Sequence, residues 1–156
     1  MRTHNTQSAS VKFLFLIFFG LVSCKKEEQL EVQNPSISFL VNGTAKSAVG
    51  ADNVYAKMGE VNTLTITAQL KATNEIVTLV IPGIRGKGQF PIPGSAEATY
   101  INGMIPSANN HSASSGTIKI TTYQKNGLKG TFEFNSASSG GSIKNITQGA
   151  FEAEIQ

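Results

Sequence analysis

The residues able to carry chemistry in this chain are few: one cysteine, Cys24, one aspartate, Asp52, the histidines His4 and His111, and glutamates that include Glu133, Glu152 and Glu154. A Ser-His-Asp relay is arithmetically available, because serines between Ser107 and Ser115 surround His111 and Asp52 could approach it in space. It lacks the Gly-x-Ser-x-Gly turn that presents a nucleophile, so His111 reads as an exposed member of a polar loop with Asn109, Asn110, Ser112 and Ser114. Paired carboxylates of the glycosidase kind need two acids converging on a cleft, whereas Glu133, Glu152 and Glu154 fall on expected wet strand faces. There is no Cys/His spacing for zinc and no run of oxygen ligands for calcium, with Asp52-Asn53 standing alone. Neither a metal nor another cofactor is expected. Gly83-Ile84-Arg85-Gly86-Lys87-Gly88 has glycines and cations but lacks the Walker spacing and the following helix of a phosphate cradle. It reads as a mobile basic loop between strands. Met104 and Ile105 lie among Gly, Pro, Ser and Asn in the segment from Asn102 to Ser115; packing on the sheet end is their expected role, and ligand binding is the alternative.

Cys24 has a more definite context. Arg2 and Lys12 give a basic start, Phe13 to Val22 an apolar run, and Ser23 a small residue directly before the cysteine, the three parts of a secretory signal. The run is shorter than the roughly 20 apolar residues that span a bilayer, and Lys25, Lys26, Glu27 and Glu28 follow at once. Leu21-Val22-Ser23-Cys24 resembles the bacterial lipobox, in which the cysteine thiol forms a thioether to diacylglycerol before cleavage. The resemblance implies a signal peptide over 1–23 and a membrane partner held through covalent lipid on Cys24. Several acyl chains on one residue make a stable anchor, each buried CH₂ adding roughly 0.8 kcal/mol. The segment after the cysteine resembles the lysine-plus-paired-acid tag, here Lys26, Glu27 and Glu28, that sends lipoproteins of the Bacteroidota to the outer face of the outer membrane. Surface display is the expectation and the periplasmic face of that membrane the alternative.

Removing 1–23 leaves 133 residues with 11 Lys+Arg against 10 Asp+Glu. A flexible tether over 24–36 leaves one all-β domain over 37–156, large enough to bury a core without disulfide or metal. The near-neutral, dispersed charge excludes the basic patch that nucleic-acid binding requires.

Alternation of apolar and polar residues dominates, and no stretch beyond Cys24 keeps a helical period. Leu64, Ile66, Ala68 and Leu70 share one face of a strand, with Thr63, Thr65, Thr67 and Gln69 on the other. Glu75–Ile81 is denser and reads as central. Ile37, Phe39 and Val41 alternate up to Asn42-Gly43, a pair suited to the positive-φ positions of a type I′ turn, and Thr44 to Ala48 returns. Residues 53–57 and 97–102 read as further strands, and Ala150 to Ile155 as the last. Pro82, Pro91, Pro93 and Pro106 are expected in loops. Gly88-Gln89-Phe90, Gly130-Thr131-Phe132 and Gly149-Ala150-Phe151 repeat Gly-x-Phe, with glycine expected at strand starts or bends. Eight or nine short antiparallel strands then form a two-sheet sandwich or a flattened barrel.

The hairpin within Gly116 to Asn135 admits a sharper expectation. Ile118 and Ile120 must share a face with Leu128, Phe132 and Phe134, so paired positions sum to an even number. A three-residue loop, Lys125-Asn126-Gly127, with Gly127 left-handed in a bulge, would pair Ile120 with Phe132, Ile118 with Phe134 and Lys119 with Glu133.

Val41-Asn42-Gly43, Gly116-Thr117-Ile118-Lys119-Ile120-Thr121, Gly130-Thr131-Phe132-Glu133-Phe134 and Ile146-Thr147-Gln148-Gly149-Ala150-Phe151 together resemble a family of small lipoproteins of the Bacteroidota ending in a Gly-Thr-Phe-x-Phe … Ile-Thr-x-Gly-x-Phe pattern. The resemblance implies an all-β lipoprotein and carries no activity with it. Relatives often have a large aromatic after the Asn-Gly turn, where this chain has Lys46, whose ammonium is expected in water. The preferred functional expectation is a non-enzymatic binding or interaction module presenting loops or a sheet face to a glycan, peptide or envelope protein. A β-scaffold hydrolase acting on envelope or extracellular glycans or peptides is the first alternative. A structural subunit of an envelope assembly, with an exposed sheet edge or patch, is the second.

Overall fold

The computed structural model describes residues 31–103 and 109–156. Cys24, Lys26, Glu27, Glu28, Met104, Ile105 and Pro106 lie outside the described residues. Ten strands are present: β1 (Ser36–Val41), β2 (Thr44–Val49), β3 (Val54–Met58), β4 (Leu64–Leu70), β5 (Glu75–Ile81), β6 (Gly88–Ile92), β7 (Glu97–Ile101), β8 (Asn110–Gln124), β9 (Gly127–Ser138) and β10 (Ile143–Glu154). They form one antiparallel sheet in the order β2-β1-β10-β9-β8-β7-β5-β4-β3, with β6 beside β7 along the same edge of β8. The sheet curls into a nearly closed barrel, the flattened-barrel alternative of the sequence reading. Ala56 on β3 bridges Ile155 just beyond β10, and the Gln156 N–H donates to the Ala56 carbonyl at 2.9 Å.

Local sequence explains most of these strands. Asn42 and Gly43 take φ of 48° and 81°, as a type I′ turn requires, and β1 and β2 pair from Val41↔Thr44 to Ser36↔Val49. Leu64, Ile66, Ala68 and Leu70 all point inward, and β5 lies between β4 and β7. Pro91 falls inside β6 rather than in a loop. β6 is an edge strand, the one place in a sheet where a missing N–H costs no ladder bond.

The β8–β9 hairpin departs from its expected register in an instructive way. The turn is two residues, Lys125-Asn126, closed by Gln124↔Gly127, and the bulge sits within β8 between Ile120 and Thr122. Beyond it the pairs are Ile120↔Gly130, Ile118↔Phe132 and Gly116↔Phe134, two residues displaced from the expected ones, and Thr117 rather than Lys119 faces Glu133. Gly127 has no positive φ. The even-sum condition still holds where the core residues pair, because the bulge absorbs the odd register of the tight turn. Packing volume selects the register at the two glycines, Gly130 facing Ile120 and Gly116 facing Phe134, while Ile118 and Phe132 pair in the core.

The same rule governs β9–β10. Gly130 pairs with Phe151 and Phe132 with Gly149, so two Gly-x-Phe tripeptides lie antiparallel, each ring over the other strand's glycine. A Cβ on Gly149 would stand 2.5 Å from the Phe132 carbonyl oxygen and 2.6 Å from its ring, and one on Gly130 would stand 2.5 Å from the Phe151 ring. Gly88 starts β6 and Gly149 follows the β10 bulge, as expected, whereas Gly130 is mid-strand, and aromatic cover over a strand glycine pins register. Phe132 further packs against Phe39 at 5.9 Å and Phe134 at 6.2 Å, and Phe39 meets Tyr100 edge-on at 6.4 Å. Such contacts contribute about 0.5–1.5 kcal/mol each beyond burial.

Candidate functional site

Of the candidate chemical residues, the fold brings none of the expected sets together. His111 is 2 % exposed on β8, against an expected polar loop. A bulge between Ala113 and Ser115 shifts the inward phase of this long strand, so its Asn/Ser-rich start reads as loop although it is sheet. The imidazole packs 6.0 Å from the Tyr100 ring, its Nδ1 donates to the Asn109 carbonyl at 2.8 Å, and its buried Nε2 has no partner among the described residues. Asp52 is exposed in the turn between β2 and β3. Glu133 is exposed on β9, and Glu152 lies opposite Lys129, four residues along the same strand. That sets their backbone positions about 13 Å apart along the strand direction. Glu154 is farther still, opposite Gly127. Glu152 is instead held by Lys129 at 2.9 Å. Arg85 and Lys87 are exposed, but Ile84, directly before Arg85, is buried and its N–H bonds the Asn62 carbonyl at 3.0 Å, so this loop is pinned just ahead of its two cations. Among the described residues, no three His, Cys, Asp or Glu side chains converge.

Two other constellations form. The first is internal. Glu75, at the start of β5, accepts from Lys46 Nζ at 2.9 Å and Tyr100 Oη at 2.7 Å on Oε1, and from Thr73 Oγ1 at 2.7 Å on Oε2. Burial drives this carboxyl toward protonation. The hydrogen bonds from Lys46, Tyr100 and Thr73, with the charge of Lys46, more than offset it and hold the carboxyl below its ordinary range. Burial, with the adjoining carboxylate, pushes the Tyr100 hydroxyl well above its ordinary value and keeps it a neutral donor. The Lys46 ammonium is thus on Glu75 rather than in water. Its pair links β2 to β5 across a seam that no ladder closes. The sequence signal for this cluster was phase: Glu75 shares parity with Val77, Leu79 and Ile81, and Lys46 with Ala48.

The second constellation is a shallow trough of about 470 Å³ on the outer face of β6, β8, β9 and β10. Register builds it in rows: Gln89 faces Lys119, which faces Thr131, which faces Ala150, while Thr117 faces Glu133. Gln148 closes one side. It sits at the β10 bulge with φ of 53°, a left-handed conformation rare for a side chain of this kind, and it also lines a second hollow over β1 and β2 with Ser38, Leu40 and Ser47. Bulges re-aim a side chain and recur beside functional sites. Gln89, Lys119, Thr131, Glu133 and Gln148 are exposed and make no hydrogen bond or ion pair among the described residues.

Fold and site together define an antiparallel β-barrel domain with a polar outer face and an ion-paired seam. The chain belongs to the DUF6252 family, a domain of unknown function, whose sequence profile matches residues 33–153. Comparison with curated proteins and with solved structures returned no match.

Proposed function

We propose that this chain is an outer-membrane lipoprotein, anchored by acylated Cys24 and displayed on the cell surface, whose barrel holds a glycan on its outer sheet face. The observation that carries the reading is the row of exposed, unengaged amides, hydroxyls and opposite charges along the trough. Protein partners take most of their binding energy from apolar and aromatic anchors at a patch centre. Here the exposed lining is Gln89, Lys119, Thr131, Glu133, Gln148 and Ala150, which suits the dense hydroxyls of a sugar chain. The open shape suits an extended polymer engaged from the side. Lys119 and Glu133, diagonal neighbours, offer a donor and an acceptor of full charge.

The anchor is tested by metabolic labelling with an alkyne fatty acid. The wild type is expected to incorporate label and Cys24→Ser to lose it and leave the membrane fraction. Label retained by Cys24→Ser overturns the anchor. Protease shaving of intact cells is expected to remove the domain; protection would place it on the periplasmic side. For the ligand, retention of the lipidated protein on immobilised envelope polysaccharide is expected to fall at least tenfold in Gln148→Ala and in Lys119→Ala/Glu133→Ala. No retention of the wild type, or equal retention of both variants, overturns the glycan reading.

A further inference from the structure

Among the described residues no strand pairs with the outer edge of β2, and the chemistry of that edge specifies what would fill it. The backbone hydrogen bonds at the two ends of β1 and β2 fix which backbone groups are free. Gly50 N–H donates to the Pro35 carbonyl and Asn42 N–H to the Asn145 carbonyl, so even-numbered β2 residues bond β1, and even-numbered β1 residues bond β10. In an antiparallel pair this alternation is strict. The N–H groups of Ala45, Ser47 and Val49 and the carbonyls of Ala45 and Ser47 therefore point away from β1, where no strand pairs with β2. The Val49 carbonyl is taken by Asn53 Nδ2 at 2.7 Å. At the other end of the sheet, β3 is capped by Ile155 and Gln156. β2 has no such cover. It carries no proline and no bulge, and its one charge, Lys46, is turned inward onto Glu75. Natural edges are usually blunted by such devices.

The free edge borders a groove of about 450 Å³ between β2 and the end of β4. Its apolar lining includes Ala48, Leu70 and Val49, the last 50 % exposed. Its charged lining is Lys46 and Lys71, with no acid. Lys46 is satisfied by Glu75, whereas Lys71 is exposed and has no partner among the described residues. A second copy of this chain would bring another Lys46 and Lys71 to the same groove, like charge against like.

We infer that the β2 edge is a strand-addition site for an extended peptide segment of a partner protein that carries an acidic side chain opposite Lys71. Main-chain bonds to Ala45, Ser47 and Val49 supply the docking, and alternate side chains of the peptide settle on Val49 and Leu70. Ser47 shares the hollow over β1 and β2 with Gln148, but the inference rests on the β2 backbone and on Lys71 and not on the glycan reading.

The test uses the full mature chain and a fluorescein-labelled octapeptide of alternating valine and threonine with one central glutamate, followed by anisotropy. The glutamate peptide is expected to bind, and its lysine counterpart to bind at least tenfold more weakly. Lys71→Glu is expected to reverse that order. Hydrogen exchange is expected to slow at Ala45, Ser47 and Val49 on binding. Ser47→Pro removes an N–H that bonds nothing within the sheet, so it is expected to lose the peptide while keeping its circular dichroism spectrum. Should Ser47→Pro not fold, the same peptide N-methylated on alternate residues decides the matter by failing to bind the wild type. Absence of peptide binding, unchanged exchange at the three amides, undiminished binding of the N-methylated peptide, or a concentration-dependent dimer formed in its place overturns the inference.

Discussion

Replacing Glu75 by leucine removes the group on which Lys46, Thr73 and Tyr100 converge, and its cost can be worked from the surroundings. Tyr100 is 1 % exposed and its hydroxyl would lose its acceptor, a loss of about 1–3 kcal/mol for a buried donor left unmade. The Lys46 side chain is 21 % exposed, so its ammonium can swing to water. Its loss is about 1 kcal/mol, well short of the 3–5 kcal/mol of a fully buried orphan charge. Glu75→Leu should therefore lower stability by about 3 kcal/mol, or about 10 °C in the melting midpoint for a domain of this size. The triple variant Lys46→Met/Glu75→Leu/Tyr100→Phe replaces these three by apolar groups of similar volume, leaves the exposed Thr73 to water, and should return to within about 1 kcal/mol of the wild type. Urea unfolding followed by circular dichroism, with the denaturant slope checked for constancy, measures both. A single variant within 0.5 kcal/mol of wild type would refute the reasoning, as would a triple no more stable than the single. The pH dependence has a fixed sign. Because the folded carboxyl titrates below its ordinary value, the stabilisation by Glu75 is full above pH 4.5 and is lost as pH falls through the depressed pKa. Glu75→Gln should flatten that acid limb. For Tyr100, whose folded pKa is raised, the contribution is full below pH 10 and is lost as pH rises beyond it. Tyr100→Phe should flatten the alkaline limb.

Gly149→Ala should destabilise by about 3 kcal/mol, since the new methyl meets the Phe132 backbone as well as its ring and no rotamer change relieves the former; an unchanged urea midpoint would contradict this. Lys129 and Glu152 form an ion pair of similar length to the seam pair, but with side chains 41 % and 29 % exposed, so a double-mutant cycle should give a coupling of no more than about 0.5 kcal/mol. Gln148→Gly relieves a left-handed backbone and should leave stability unchanged or raise it by up to about 1 kcal/mol while losing polysaccharide retention, a separation that thermal melts and the binding assay read independently.

What the amino-acid order settles by itself is local: which residues face in, where the chain turns and where it must be extended. Alternation set the faces of β4 and β5, and Asn42-Gly43 set the first hairpin, because φ preferences and a two-residue side-chain period act between neighbours. The tertiary structure decided the registers of β8 on β9 and of β9 on β10, by setting Phe134 against Gly116 and Phe132 against Gly149, partners 18 and 17 residues apart. It also decided the burial of His111, through a bulge that no composition announces. The seam was beyond local reading for the same reason. Lys46 and Glu75 lie 29 residues apart and look like ordinary surface charges until barrel curvature sets them on one interior. Their meeting depends on strand order and shear, which follow from the closure of the whole sheet rather than from any segment of it.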